Sequence, residues 1–231
     1  MSEEVVDSDT TIEEDTRPTG AGVGGVDRSM SIRYLNPDKT SWILVCPRFL
    51  PSTPGGWQAV SRDKPTVYHK IMMFGKEVAI PRLQQSYGRD YGYSGNVTQS
   101  IPFTPVIDEI RKRVIGALKE GQKHIPELRE SNVDLNMCLV NWYENGGHYI
   151  GPHSDDTRQL VSNGVIASLS WGATRKFELI GKRGDAESTF LMLEDGDLIV
   201  MGGRCQDTHK HAVPKSSCQQ ERINFTFRVF R

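Results

Sequence analysis

The sequence predicts a mainly β fold with flanking helices, because one amphipathic helix is followed by short apolar runs that turn residues separate. The strand-like runs after the helix lie at residues 135–142, 165–171, 176–180, 190–193, 198–201 and 223–230. This order favours an antiparallel barrel or sandwich. We expect a double-sheet jelly roll as the closed form, since it hides strand edges and leaves an open interior for a site.

The predicted helix has both of its ends marked in the sequence. Thr104 can cap the first turn, Pro105 suits the first helical position, and Gly121 suits the end. Apolar side chains at helical spacing give it one core-facing side, formed by Ile107, Ile110, Val114 and Leu118. We therefore expect the helix to pack on the strands that follow it.

The start of the chain differs in composition from the rest. Residues 1–27 carry eight acidic residues and one arginine, and they include few large apolar residues. Such a segment buries too little apolar surface to fold, so we predict a disordered acidic tail at 1–31 and one domain at 32–231. Since residues 1–27 carry −7 of a total formal charge of −1, residues 28–231 carry +6, which suits a polyanionic partner.

The cellular setting follows from what the sequence lacks. It has no apolar run long enough for a membrane helix, and its acidic start has neither a secretory nor a mitochondrial pattern. Its four cysteines are too sparse to indicate a disulfide framework. We expect an intracellular monomer, nuclear or cytoplasmic, with reduced thiols and no membrane partner.

A short histidine and aspartate motif indicates a metal site. His153 and Asp155 are two residues apart, so in an extended segment both side chains project to one face. A third ligand would come from His209 or His211. Both lie on the same side of an extended segment, so the alternation of side chains along a strand does not distinguish them. Two histidines and one carboxylate, with no fourth ligand, form the set that holds non-haem iron and leaves coordination positions open. The alternative for the first pair is a solvated turn.

A structural zinc site is a competing interpretation of the later histidines. It would use Cys205, His209, His211 and Cys218. The spacing of these residues departs from the paired patterns of common zinc sites, and the earlier His-x-Asp motif would then have no role.

The last strand-like run alternates polar and apolar residues. Its polar side consists of Arg222, Asn224, Thr226 and Arg228. On a solvated sheet this side would face water, whereas inside a barrel it would form a site for a dicarboxylate. The two arginines are about 20 Å apart along an extended strand, so we expect one to bind a far carboxylate and the other to neutralise the near end or Asp155. Asn141 and Tyr143 share one side of an upstream strand and would add hydrogen bonds.

Taken in order, these motifs resemble the AlkB-like Fe(II)- and 2-oxoglutarate-dependent oxygenases, which demethylate nucleic acids. The resemblance runs from about Ile80 to Arg231. Its matching pieces are Pro81-Arg82-Leu83, Tyr87-Gly88, Tyr93-Ser94-Gly95, Asn141-x-Tyr143, His153-x-Asp155, Gly196-Asp197 with Gly202-Gly203, His211-Ala212-Val213-Pro214-Lys215 and Arg222-x-Asn224-x-Thr226-Phe227-Arg228. It implies a double-stranded β-helix (jelly roll) core of the 2-oxoglutarate oxygenase type, with a nucleotide-recognition lid at about residues 80–100.

The resemblance also implies residue roles. It selects His211 over His209. The Fe(II) ligands would be His153, Asp155 and His211. The 2-oxoglutarate residues would be Asn141, Tyr143, Arg222, Asn224 and Arg228. The nucleotide would meet Arg82, Tyr87, Tyr91 and Tyr93, for whose tyrosines core and turn packing is the alternative. Thr157 departs from the pattern, since many relatives carry an acidic residue at that place near the damaged base.

The activity that the resemblance implies is oxidative demethylation of N-alkylated bases, such as N1-methyladenine and N3-methylcytosine, in DNA or RNA. Fe(II) would be the metal, 2-oxoglutarate and O2 the cosubstrates, and formaldehyde, succinate and CO2 the products. Two alternatives stay open. One is a 2-oxoglutarate-dependent hydroxylase of proteins or small molecules, and the other is a non-catalytic jelly-roll binding module that a metal stabilises.

Overall fold

The computed structural model describes residues 30–73, 75–93, 96–184 and 186–231 as a strand-rich fold. The strands are β1 (Ser31–Tyr34), β2 (Ser41–Cys46), β3 (Lys70–Met73), β4 (Lys76–Ala79), β5 (Leu83–Tyr87), β6 (Tyr91–Tyr93), β7 (Asn96–Thr98), β8 (Ser100–Ile101), β9 (Met137–Tyr143), β10 (Ile150–His153), β11 (Ile166–Gly172), β12 (Arg175–Gly181), β13 (Thr189–Leu193), β14 (Leu198–Gly203), β15 (His209–Val213) and β16 (Arg222–Arg228). The helices are α1 (Pro54–Ser61), α2 (Pro105–Gly121), α3 (Pro126–Arg129) and α4 (Cys205–Thr208).

Two sheets build the body of the protein. The larger sheet has the strand order β1-β2-β14-β11-β16-β9-β5-β8, and the smaller sheet has the order β10-β15-β12-β13. Apart from the parallel pair of β5 and β8, neighbouring strands in both sheets are antiparallel. This double-sheet arrangement confirms the predicted jelly roll. Two further hairpins, β3–β4 and β6–β7, stand apart from it.

Helix α2 packs on the outer face of the larger sheet, as its pattern predicts. The side chains that α2 buries are Ile107, Ile110, Val114 and Leu118, together with Gly121. They share one apolar cluster with Phe225 and Phe227 of β16. One expectation is not met, since Thr104 occupies the N-cap position but its hydroxyl makes no capping hydrogen bond.

A second apolar cluster fills the space between the two sheets. It joins Leu139 of β9 and Ile199 of β14 on the larger sheet to Phe177 and Leu179 of β12 on the smaller one. Because strands alternate, β9 and β16 give one face to the α2 core and the other to this inner space. The polar residues of β16 therefore point between the sheets, where buried polar groups need hydrogen-bond or ion-pair partners.

Three further features concern the domain boundary, the cysteines and the helices. The division at residue 31 stays a prediction, because residues 1–29 lie outside the described part and Ser31 is the first residue of β1. All four cysteines are free thiols. Within the described residues, no helix has the length and apolar character that crossing a membrane requires.

Candidate metal centre and adjoining cavity

Two adjacent strands of the smaller sheet bring the candidate metal ligands together. In the antiparallel pair of β10 and β15, His153 lies directly opposite His211, and a bulge in β10 separates that pair from the preceding one. Asp155 follows two residues after the end of β10. One ligand atom from each of these three residues lies within 4.8 Å of the others, and this is the group of metal-binding side chains found among the described residues.

Hydrogen bonds orient the ligands from behind. The carbonyl oxygen of Gly151 lies 3.0 Å from Nδ1 of His153, and because a carbonyl only accepts, Nδ1 carries the proton and Nε2 keeps its lone pair for a metal. Arg228 donates from Nε and Nη2 to the two carboxylate oxygens of Asp155, at 2.8 and 3.0 Å. Each of these oxygens retains a further lone pair. Gln206 accepts the backbone N–H of Asp155 through Oε1 at 2.9 Å.

The protonation states suit metal binding. Burial lowers the pKa of His211 to about 3, and it also lowers the pKa of His153 below its ordinary value. Burial alone would raise the pKa of Asp155, but the charge and hydrogen bonds of Arg228, together with His211 and His153, hold this pKa well below the usual range. At neutral pH the site thus offers two neutral imidazoles and a carboxylate, which is the state that metal ligation needs.

His209 lies on the same strand but takes no part in this group. Its Nδ1 is 2.7 Å from the Thr208 hydroxyl, and its Nε2 is 3.0 Å from the Glu187 carbonyl oxygen. Both ring nitrogens are therefore engaged. The alternative zinc set is not brought together among the described residues, and burial raises the pKa of the Cys205 thiol to about 12, which disfavours a thiolate ligand.

A cavity between the two sheets is lined by two of the three ligands, His153 and His211. Its walls include residues of both sheets: Leu139, Asn141, Tyr143, Ser168, Met201, Arg222, Asn224, Thr226 and Arg228 from the larger one, and Ile150, His153, Phe177, His211 and Val213 from the smaller one. The polar side of β16 thus faces the cavity, and its apolar side faces the α2 core. The solvated interpretation of this strand is excluded.

Arg222 is a buried cation with free donors. It is 1% exposed, and its Nη2 donates to the Ser170 hydroxyl at 2.9 Å. Among the described residues, its Nε and Nη1 are buried without a hydrogen-bond partner and it forms no ion pair. Its guanidinium lies 5.1 Å from the centre of the Tyr143 ring. A carboxylate entering the cavity would satisfy these donors, because the planar fork of arginine matches carboxylate geometry.

Two other predicted cosubstrate residues line the same cavity, and they differ in how many of their hydrogen-bonding groups are already engaged. Asn141 accepts from Arg82 Nε at 2.8 Å through Oδ1, and its Nδ2 donates to no described residue. Asn224 is fully engaged, since its Nδ2 donates to Ser168 and Leu169 and its Oδ1 accepts from the Thr226 hydroxyl. Asn141 can therefore meet a ligand directly, whereas Asn224 stabilises the wall.

The four predicted nucleotide residues are separated by the structure. Arg82 and Tyr91 line the cavity, and the Tyr91 ring centre lies 5.1 Å from the Arg228 guanidinium. Tyr87 points the other way: it is 0% exposed, belongs to the α2 core and donates from its hydroxyl to Asp63 at 3.2 Å. The structure does not bring Tyr87 to the cavity. Its position agrees with the core-packing alternative. The side chain of Tyr93 lies outside the described part.

Thr157 lies outside this cavity. It is exposed and contributes to a separate surface depression with Arg204 and Arg231. Its neighbour Asp156 is held by Arg158 through bonds of 2.6 to 3.1 Å and stays on the outside. No acidic side chain stands where the resemblance would place one at position 157.

Some residues that support the site have weak sequence signals. Ser168 and Ser170 interrupt the otherwise apolar strand β11 at alternate positions, and this parity is a signal for a polar inner face. Gln206 and Arg175 have no comparable signal, because each is a single polar residue whose partners are distant along the chain.

The charge balance shows that the site fits a divalent ion and a dicarboxylate. Asp155 and Arg228 neutralise one another, and the two histidines are uncharged. A divalent cation would add two positive charges next to those of Arg222 and Arg82, which line the cavity and form no ion pair with a described residue. A dianionic ligand that meets both the metal and Arg222 offsets two of these four positive charges.

Comparisons with known proteins identify the family. The family model described as "2OG-Fe(II) oxygenase superfamily" matches residues 43–228. The mouse protein "DNA oxidative demethylase ALKBH2" is 34% identical over 170 residues, covering 69% of this chain and 66% of that protein. The mouse "Alpha-ketoglutarate-dependent dioxygenase alkB homolog 3" is 31% identical over 208 residues, covering 84% of this chain and 68% of that protein. The matches to ALKBH2 from mouse, cattle and human span 56% to 66% of those proteins.

A solved structure agrees on the fold. "The structure of OsALKBH1" superposes with a TM-score of 0.60 at 18% identity, covering 86% of this chain and 100% of that one. The expected resemblance to AlkB-like oxygenases is confirmed by these matches. Iron(II) and 2-oxoglutarate are the metal and the cosubstrate for which the superfamily is named. This chain belongs to the 2OG-Fe(II) oxygenase superfamily.

Proposed function

We propose that this protein is an Fe(II)- and 2-oxoglutarate-dependent dioxygenase that removes N-alkyl groups from bases in nucleic acid. One observation carries the proposal: the two histidines of the His-Asp-His cluster and a buried arginine with free donors line the same cavity. A structural zinc site has no use for such an arginine. A bidentate dicarboxylate on iron requires both.

Each part of the site has a distinct task in this proposal. His153, Asp155 and His211 hold the metal and leave coordination positions for the cosubstrates. Arg222 binds the far carboxylate of 2-oxoglutarate, with Asn141 and Tyr143 beside it. When bound, Fe(II) supplies the oxidation of the N-alkyl carbon at the expense of 2-oxoglutarate and O2, which yields succinate and CO2 and, after the adduct breaks down, formaldehyde.

The remaining site residues act by holding others in place. Arg228 neutralises Asp155 and fixes its orientation, so that the carboxylate stays ionised in a buried setting. Asn224 keeps the wall of the cavity in position through three internal hydrogen bonds. Burial between two sheets keeps water from the oxidising site.

Nucleic acid is the substrate class that the relatives favour. The names of the similar mouse proteins include a DNA oxidative demethylase, and residues 28–231 carry a net positive charge. A target base must leave its stack to reach a buried site, and Arg82 and Tyr91 line the cavity where such a base would meet the protein. We propose these two as nucleotide contacts. An intracellular location and a monomeric state also remain predictions.

The test is formaldehyde release from a panel of DNA and RNA oligonucleotides that carry N1-methyladenine or N3-methylcytosine, with Fe(II), 2-oxoglutarate and O2 supplied. We expect release from at least one oligonucleotide and none from the unmethylated controls. Consumption of 2-oxoglutarate with peptides, but with none of the oligonucleotides, would identify a protein hydroxylase instead. Tightly bound zinc with no consumption of 2-oxoglutarate would identify a binding module.

A further inference from the structure

Arg175 is a buried arginine that lies behind the cavity rather than in its wall. It is the first residue of β12 and is 2% exposed. Among the described residues, its guanidinium donates to backbone carbonyl oxygens alone: Nη1 to Asn145 at 3.3 Å, and Nη2 to His148 at 2.9 Å, Pro214 at 2.6 Å and Gly146 at 3.5 Å. Burying a cation against uncharged acceptors is costly, so this position calls for an explanation.

These hydrogen bonds join two segments that frame one end of the site. The segment 145–148 connects β9 to β10, and Pro214 follows β15 directly. Strand β9 ends on Tyr143, a wall residue, whereas β10 and β15 carry the two histidine ligands. Arg175 therefore links the end of the cosubstrate wall to the strands of the metal site through a single side chain.

Tyr143 lies close to two guanidinium groups. Its ring centre is 5.7 Å from that of Arg175 and 5.1 Å from that of Arg222. Tyr143 and Arg222 are also directly opposite each other in the ladder of β9 and β16. Neither arginine forms an ion pair with a described residue, so two positive charges lie at this end of the cavity, each within 6 Å of the Tyr143 ring centre.

We propose that Arg175 is a positioning residue of the cosubstrate site. Its donors hold the 145–148 segment and Pro214 so that Tyr143 and Arg222 present a fixed surface to the far carboxylate of 2-oxoglutarate. Its own charge adds to the attraction for that carboxylate. This inference rests on the proposed function of the cavity, and it gives a role to a residue that touches neither the metal nor the cosubstrate.

The test separates affinity for 2-oxoglutarate from affinity for the metal. Calorimetric titrations would use the full-length protein, first with Mn(II) added to the metal-free form and then with 2-oxoglutarate added to the Mn(II)-loaded form without oxygen. For Arg175→Met we expect the dissociation constant of 2-oxoglutarate to rise at least about tenfold, while that of Mn(II) changes by less than about twofold. A purely structural role would weaken both together.

Two further variants keep the test decisive. Arg111→Met is the matched control, because Arg111 also donates to a backbone carbonyl, that of Leu135, but lies on α2 away from the cavity. It should leave both affinities unchanged. Arg175→Lys keeps the charge but not the fork, so it should bind 2-oxoglutarate less tightly than the wild type, and it serves if the methionine variant does not fold.

The outcomes distinguish this inference from the proposed function. If the wild-type protein takes up no 2-oxoglutarate, the proposed function fails and the inference fails with it. If the wild-type protein binds 2-oxoglutarate and the folded Arg175 variants bind it equally well, only the role of Arg175 is overturned. A parallel loss of Mn(II) and 2-oxoglutarate affinity would overturn it as well.

Discussion

Replacing Arg222 with methionine should have opposite effects on stability and on cosubstrate binding. The side chain is fully buried, and two of its nitrogens have no hydrogen-bond partner. Each unsatisfied buried donor costs about 1–3 kcal/mol, whereas the bond that Nη2 makes to Ser170 contributes about 1 kcal/mol. Methionine fills a similar volume without these groups, so the metal-free variant should be as stable as the wild type or more stable, by about 1 kcal/mol or more.

The effect on 2-oxoglutarate has the other sign. A bidentate contact between Arg222 and a carboxylate makes two charge-assisted hydrogen bonds, each worth about 1.5–3 kcal/mol. Since about 1.4 kcal/mol is a factor of ten in affinity, Arg222→Met should weaken 2-oxoglutarate binding at least about a hundredfold. Binding of Mn(II) should hardly change.

The assay pairs urea unfolding of the metal-free protein with calorimetric titration of 2-oxoglutarate into the Mn(II)-loaded form. Arg228→Met is the matched control, because it removes the other buried arginine from the same face of β16. Arg228 is paired with Asp155, so this variant leaves a buried carboxylate without its partner and should lose about 3–5 kcal/mol of stability. Equal destabilisation by both substitutions, or unchanged 2-oxoglutarate affinity in Arg222→Met, would refute the reasoning.

Three further outcomes follow from the metal site. His211→Ala should abolish tight Mn(II) binding, whereas His209→Ala should keep it. The His209 variant should lose stability, because it removes two hydrogen bonds. Calorimetry measures the Mn(II) affinities, and the reverse result would show that the ligand assignment is wrong. Gln206→Met removes the acceptor for the Asp155 backbone N–H and should weaken Mn(II) about tenfold or more, and an unchanged affinity would show that this bond does not position the ligand. Mn(II) at about a hundred times its dissociation constant should stabilise the wild-type protein by about 2.7 kcal/mol in thermal unfolding, and excess chelator should reverse the gain; no shift in melting temperature would contradict a preformed site.

Local signals explain which elements the sequence could predict. Helix α2 carries its start, its end and its buried face within 17 residues, and the structure agrees at each buried position. Strand β16 alternates strictly, so its two faces were readable without knowledge of its neighbours. Strand β2 was not predicted, because the predicted runs all follow helix α2 and β2 precedes it.

The metal site could be predicted in part, because some of its ligands have a local sequence signal. The spacing of His153 and Asp155 is local, but their meeting with His211 depends on the pairing of β10 with β15, which lie far apart in the chain. The choice between His209 and His211 required the family resemblance, because both residues share one side of the strand. In the structure, the hydrogen bonds of His209 separate the two.

Burial explains what the sequence could not predict. Nothing local distinguishes Arg222 from Arg228, yet one is paired with a carboxylate and the other keeps free donors. Tyr87 and Tyr91 share a tyrosine-rich segment, but one ring enters the α2 core and the other lines the cavity. Such differences depend on contacts between distant segments, and a single sequence does not contain them.

We propose above all that the protein oxidises N-alkyl groups of nucleic-acid bases in the cavity between its two sheets. The most direct test of this proposal measures succinate and formaldehyde together, from one reaction of the wild-type protein with Fe(II), 2-oxoglutarate, O2 and an oligonucleotide that contains N3-methylcytosine. We predict that both products form, that each formaldehyde is matched by at least one succinate, and that His153→Ala yields neither. Full activity in His153→Ala, or no succinate from metal-loaded wild-type protein, would contradict the claim.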